Sequence, residues 1–289
     1  MTRADADVAS APPSVRSELV IEGTHRVRAG RSLADLWHYR EVLRSFTSRT
    51  IRLKYKQALL GVSWAVLQPL AFLALFVIFF GRLAGVSGGG VPYAAFALSA
   101  LVPWQFVANG LSFGTNALVQ DAALIRKVYF PRELPVLGAV AATLVDLLIG
   151  VAVFLAVGPF IGAHLGVALL YIPLVTVTLT ISVTALCIPL AALNVYYRDF
   201  RYALPLLIQL GLFASPVAYP VSSIPEQWRT LYALLNPFVG SLEGFRRVLA
   251  LDQAPDWGLL GLSLVSALVV LVVGYRVFKG LEPEFSDVI

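Results

Sequence analysis

Charge is what this chain has least of. Of its 289 residues, Lys and Arg supply 22 and Asp and Glu 17, so charged residues make up 13%, against roughly 25% in a water-soluble domain. Too little polar surface remains to cover a globule, which excludes a soluble enzyme. Hydrophobic residues make up 58% of the chain, which excludes a disordered regulator. The one cysteine, Cys187, lies in an apolar stretch, so no disulfide scaffold or cysteine-rich metal site forms within one chain. Three scattered histidines (His25, His38 and His164) and the lack of H-E-x-x-H argue against a metal site. The dipeptide Gly-Lys is missing, and with it the G-x-x-x-x-G-K-S/T loop that cradles nucleotide phosphates. If this chain moves something uphill, the energy comes from elsewhere, and no cofactor is expected in the chain itself.

What is present is a series of long uncharged runs. Residues 57–81, 83–120, 147–197, 202–225 and 257–275 contain no Asp, Glu, Lys or Arg. About 20 apolar residues in a helix cross roughly 30 Å of hydrocarbon. The chain therefore reads as an all-α integral membrane protein with six spans near 62–83, 93–115, 136–158, 167–193, 203–219 and 258–277. Eighteen Lys and Arg fall on the side of both termini and four on the other. The positive-inside rule then puts both termini in the cytoplasm of a multi-pass protein of the inner (plasma) membrane. The net charge of +5 is mainly a topology signal and requires no nucleic acid. No removable signal peptide is expected; the first span acts as an uncleaved anchor.

Three domains follow: a flexible cytoplasmic tail over 1–31, an interfacial amphipathic helix and connector over 32–60, and a six-span transmembrane domain over 61–289. In the second, Leu33, Leu36, Trp37, Arg40 and Leu43 follow helical spacing after a Ser32 cap. This 32–46 helix fits a membrane surface or a soluble partner. Between spans five and six, prolines 216, 220, 225, 237 and 255 break the chain into apolar pieces too short to cross. They read as re-entrant exoplasmic gate helices over about 216–251, since broken backbone at membrane depth needs protein or water to satisfy it. The other reading is an ordinary loop with a surface helix. Asp146 is the one carboxylate deep in a span, suited to a proton relay, to a cationic group, or to a plain hydrogen bond with a neighbouring helix. Gly110 and Gly114 permit close helix approach. Many aromatics, Phe72 and Phe76 among them, suit stacking on sugar rings or simple contact with lipid.

Five strings resemble the membrane (permease) subunit of ATP-binding-cassette exporters of the polysaccharide, O-antigen, teichoic-acid and galactan type. They are RTIRLKYKQALLGVSWAVLQP (49–69), LIRKVYFPRELP (124–135), NVYYRDFR (194–201), the SPVAYP to EGFR segment (215–246), and the closing EPEFSDVI (282–289). The resemblance implies a transport subunit rather than an enzyme, working as a homodimer with two copies of a nucleotide-binding ATPase that holds MgATP. It implies that a coupling helix over about 121–135 seats in the ATPase, through Arg126, Lys127, Tyr129, Phe130, Pro131 and Arg132. The same basic residues also serve topology alone. The implied cargo is a polyprenyl-diphosphate-linked glycan, tilted toward galactan by the Ala/Val/Arg-rich composition. Arg49, Arg52, Lys54 and Lys56 could capture its diphosphate or attract anionic membrane lipid. Phe72, Phe76, Tyr219, Trp228, Tyr232 and Asp146 are channel or gate candidates. The competing readings are a drug or lipid efflux permease, a polyprenyl-processing membrane enzyme, and a non-transporting scaffold. The enzyme should carry paired exoplasmic acids, yet Glu226, Glu243, Asp252 and Asp256 make no D-x-D pair.

Overall fold

Helix α1 (Arg40–Tyr55) opens the described part of the chain. The computed structural model describes residues 39–55, 63–86, 88–128, 130–197 and 199–285, and every regular element among them is helical. Residues 1–38 and 56–62 lie outside it, as do Lys56 and Tyr129. The helix expected to end at 46 runs on to Tyr55, because no Gly or Pro interrupts 32–55. Arg49, Arg52 and Lys54 are therefore part of a helix and not of a connector. Phe46 is buried while Arg44, Ser45, Ser48 and Arg52 are exposed, giving α1 two unlike faces.

Next comes α2 (Ser63–Phe76), which carries Pro69 and continues as a π-helical turn over Val77–Leu83. Then follow α3 (Tyr93–Gln120), the single turn α4 (Ala122–Ile125), α5 (Glu133–Val157) and α6 (Ile172–Tyr196). The last four are α7 (Phe200–Ala214), α8 (Glu226–Leu235), α9 (Val239–Ala250) and α10 (Trp257–Leu281). Among the described residues, five helical stretches are long and apolar enough to cross a membrane: Val66–Leu83, Tyr93–Gln120, Glu133–Ile161, Val167–Tyr196 and Trp257–Glu284. Helix α7 is apolar but has 15 residues, about 22 Å of rise. Its continuation leaves helical geometry at Ser215, before Pro216, though Ser215–Ala218 stay buried.

Helix α3 lies at the centre, packed on α2, α5, α6, α7 and α9, with buried side chains from Ala95 to Leu118. Two glycines allow this. A Cβ at Gly110 would lie 2.6 Å from Val183 Cγ1, and one at Gly114 would lie 2.7 Å from Cys187 Sγ. The expected close approach of Gly110 and Gly114 is thus made by α3 on α6, and Cys187 Sγ caps it by donating to the Gly110 carbonyl. A third close contact seats α1 on α5: a Cβ at Gly138 would stand 2.7 Å from that of Phe46.

Each end of the bundle is tied. At the basic end, Lys279 of α10 pairs with Glu133 of α5 at 2.5 Å and Glu282 at 2.7 Å, and Tyr275 donates to the same Glu133 at 2.9 Å. Tyr196 of α6 donates to the Leu281 carbonyl at 3.0 Å. At the other end, Asp252 accepts from the Ala168 amide and His164 N–H donates to the Ala250 carbonyl, both at 2.9 Å. Helix α9 is buried almost throughout, among α3, α6 and α10. It approaches α10 closely because Gly240 has no side chain; a Cβ there would lie 2.2 Å from the Leu259 carbonyl oxygen.

Candidate functional site

Helices α2 and α7 stand apart over one face of α3 and leave a groove of about 620 Å³ between them. Pro69 of α2 and Pro205 of α7 both line it, and each removes a backbone hydrogen bond from its own helix. Phe72, Phe76, Phe79, Phe80, Trp104 and Phe213 line the walls. The channel candidates Phe72 and Phe76 therefore do share a concave surface. Trp104 of α3, another of the aromatics suited by sequence to sugar rings, shares it, whereas Phe213 of α7 was not singled out by sequence pattern. Three polar side chains, Gln68, Gln105 and Gln209, also line it. Single amides in uncharged runs were the available signal for them.

Asp146 does not line this groove. It is buried on α5 and gathers Lys54 and Tyr55 of α1 and Asn109 of α3. Asn109 Nδ2 donates to Asp146 Oδ2 at 3.0 Å, and Asn109 Oδ1 accepts from Gln105 Nε2 at 3.2 Å. A polar ladder thus runs from the groove at Gln105 to α1 at Lys54. Asp146 is thus bonded to two neighbouring helices, and one of its partners, Lys54, is a cation. Lys54 also lies 5.2 Å from the centre of the Phe113 ring. Burial, and next the bond to Asp146, push the Tyr55 phenol well above its usual pKa, so Tyr55 stays a donor.

The four basic candidates for diphosphate capture are not equivalent. Lys54 turns inward onto Asp146, and Arg49 pairs with Asp121, the residue that opens the docking loop. Arg52 is exposed, and its Nε donates to the Ser48 carbonyl one turn earlier.

The 121–135 segment is less continuous than the expected helix. It holds the one-turn α4, then turns, and α5 begins at Glu133. Pro131 accounts for the break, since the residue before a proline is pushed out of helical geometry. Arg126, Lys127 and Val128 are exposed, Pro131 and Arg132 half-buried. Phe130 departs from its expected place on a docking knob. It is 4% exposed and packs on Phe46 of α1 with ring centres 5.3 Å apart. A large apolar ring beside the Gly138 contact gains more by burial within the chain than by waiting for a partner.

The gate candidates cluster at the proline end. Tyr232 donates to the Ala214 carbonyl at 2.8 Å and meets the Tyr219 hydroxyl at 3.1 Å, while Trp228 is exposed. None of the three lines the groove. The residue that organises this end is Arg246, which its sequence neighbourhood places only as a charge on the outer side. It is 1% exposed, stacks 3.9 Å from the centre of Phe96, pairs with Glu243 at 2.6 Å, and donates to the carbonyls of Pro216 and Val217. Burial pulls its guanidinium below its ordinary pKa and Glu243 pushes back. The spacing Glu243–Arg246 in an otherwise apolar helix was the signal available for this pair.

Comparison with known proteins places this architecture. A family model described as "ABC-2 type transporter" matches residues 41–250. The O-antigen export system permease protein RfbA of Myxococcus xanthus is 28% identical over 259 residues, covering 89% of this chain and 98% of that protein. A protein of the same name from Klebsiella pneumoniae is 23% identical over 88% of this chain and 97% of its own length. The polysialic acid transport protein KpsM of Escherichia coli is 24% identical over 81% of this chain and 91% of its length.

Proposed function

The chain belongs to the ABC-2 type transporter family, and from that membership we propose that it is the permease subunit of an exporter that carries a polyprenyl-diphosphate-linked cell-envelope polysaccharide out across the inner membrane. It is a transport subunit and not an enzyme, and ATP is hydrolysed in a separate subunit. The observation that carries the polysaccharide reading is the near full-length likeness to an O-antigen permease, 89% of this chain on 98% of the relative. The uncharged, aromatic groove between α2 and α7 supports it, because flat apolar rings let sugar rings slide without a single tight hold.

In this reading the chain crosses six times with both termini inside, α7 and the buried irregular segment after it making the fifth crossing. Two copies form the conduit and two ATPase subunits drive it. Arg126 and Lys127, exposed on the docking loop, meet acids of the ATPase, and the motion passes to α1 through Phe130 on Phe46 and Arg49 on Asp121. Of the described diphosphate candidates, Arg52 is the exposed one not held in an ion pair with another helix, and with the neighbouring exposed cations of α1 it attracts the diphosphate. The α8–α9 element forms the outer gate, strapped by Arg246.

The test is to purify the chain with the ATPase encoded beside it and to measure ATP turnover with polyprenyl-diphosphate-linked glycans of different composition. Turnover should require the ATPase and rise with one glycan class, a galactan being the first to try. Turnover by this chain alone, or stimulation by hydrophobic drugs and not by glycans, refutes the reading.

A further inference from the structure

The groove between α2, α3 and α7 is uncharged but not apolar. Gln68, Gln105 and Gln209 reach it from three different helices, and among the described residues no Asp, Glu, Lys or Arg lines it. Hydrocarbon filling the groove would leave the Gln68 and Gln209 amides and the Gln105 carbonyl without partners, which is costly at membrane depth. A phosphate would find no counter-charge. A neutral ring with C–H faces and hydroxyl edges satisfies both the aromatic walls and the amides.

The Gln105 amide is moreover set in one orientation. As the ion-pair partner of Lys54, the Asp146 carboxylate can only accept hydrogen bonds. Asn109 must therefore turn its Nδ2 toward Asp146, which leaves its Oδ1 to accept from Gln105 Nε2. The carbonyl of Gln105 is then the end left over for a hydroxyl donor. An Asn in place of Asp146 could donate as well as accept, and the orientation would no longer be enforced.

We propose that the groove holds the sugar rings of the cargo, with Gln68, Gln105 and Gln209 hydrogen-bonding their hydroxyls and Asp146, through Asn109, acting as the positioning residue for Gln105. The proposal rests on the polysaccharide reading and gives it a binding site. It also separates two parts of one substrate: the groove takes the sugar and leaves the diphosphate to the exposed cations of α1.

The experiment uses the chain reconstituted with its ATPase in lipid nanodiscs. ATPase stimulation is titrated with a polyprenyl-diphosphate-linked oligosaccharide and with the same polyprenyl diphosphate bearing no sugar. The readout is the ratio of the two half-saturating concentrations. Gln68→Leu, Gln105→Leu and Gln209→Leu should each raise that ratio roughly 2- to 10-fold, the loss of one neutral hydrogen bond. Asp146→Asn should raise it too, and should add nothing on top of Gln105→Leu, since the two act as one unit. Leu148→Ala, on the exposed side of α5, serves as the control with an unchanged ratio.

An unchanged ratio in the glutamine variants, or equal shifts for both lipids, overturns the sugar site while leaving the polysaccharide reading standing. An Asp146→Asn effect that adds fully to Gln105→Leu overturns the positioning role. Because Gln68 and Gln209 are exposed, their Leu variants decide the site even if Asp146→Asn fails to fold. If the wild-type complex does not respond to the glycan-bearing lipid at all, the polysaccharide reading falls and the site falls with it.

Discussion

Replacing Arg246 with Met should be among the most damaging single changes available in this chain. The guanidinium is 1% exposed and serves four partners at once: Glu243, the carbonyls of Pro216 and Val217, and the Phe96 ring. Met keeps some apolar contact with Phe96 but leaves the Glu243 carboxylate, whose side chain is 16% exposed, without its cation. Removing one member of a buried pair costs about 3–5 kcal/mol. At about 2–4 °C per kcal/mol for chains of comparable length, the midpoint should fall by about 6–20 °C. Glu243→Gln should cost about 1–2 kcal/mol, since the arginine retains its carbonyl acceptors. The double variant removes both charges, so it should be less destabilised than the sum of the singles by about 1–3 kcal/mol. Thermal unfolding of the purified chain in detergent, followed by size-exclusion, measures all four proteins. An Arg246→Met protein within about 0.5 kcal/mol of wild type, or strictly additive singles, refutes the buried clasp.

Two further outcomes follow from the docking loop and the bundle core. Phe130→Ala should destabilise the isolated chain by about 3–5 kcal/mol, because a buried ring is lost; Arg126→Glu, at an exposed position, should leave the melting midpoint alone and weaken capture of the ATPase partner by roughly 2- to 5-fold, as exposed ion pairs do. Melting curves and pull-down titration separate them, and equal melting of both variants would return Phe130 to the docking surface. Gly114→Leu should cost at least about 1–3 kcal/mol by overpacking, since even its Cβ would meet Cys187 at 2.7 Å. A companion Cys187→Ala should recover part of that loss, and no recovery would mean that the glycine serves something other than the α3–α6 contact.

The membrane spans were legible because hydrocarbon imposes one demand, length without charge, that composition alone reveals. The long helices follow it closely, and Gly110 and Gly114 sit where close packing was expected. The ends were less legible. Helix α1 runs on to Tyr55, beyond the stretch whose apolar spacing predicts a helix, because nothing in the following basic stretch stops one. Phe130 reads as an exposed knob when only its loop is considered, and its burial depends on Phe46, more than 80 residues earlier. Lys54 reads as a surface cation, and only the folded chain brings it to Asp146. Pairings between distant positions leave no periodic trace, so one sequence does not disclose them. The amides of the groove escaped for a different reason: a single glutamine in a span has many uses, and its meaning comes from the two others facing it.

The charges that are buried share one feature that bears on how the protein moves. Lys54–Asp146, Lys279–Glu133 and Arg246–Glu243 are each closed within or between neighbouring helices. Such pairs hold elements together without adding net charge to the interior. The first two fix α1 to α5 and α5 to α10, and Arg246 ties α9 to the segment after α7 through the carbonyls of Pro216 and Val217. No comparable ion pair is drawn among the described residues between α2 and α7, the two walls of the groove. Both walls carry an internal proline, and α2 ends in a π-helical turn, features that weaken a helix against bending. If the 121–135 segment receives the ATPase as proposed, a force delivered there meets a clasped body built of α1, α5 and α10 and two unclasped, proline-containing walls. Displacement should concentrate where the walls stand, and the groove should change width before the clasped helices change their packing.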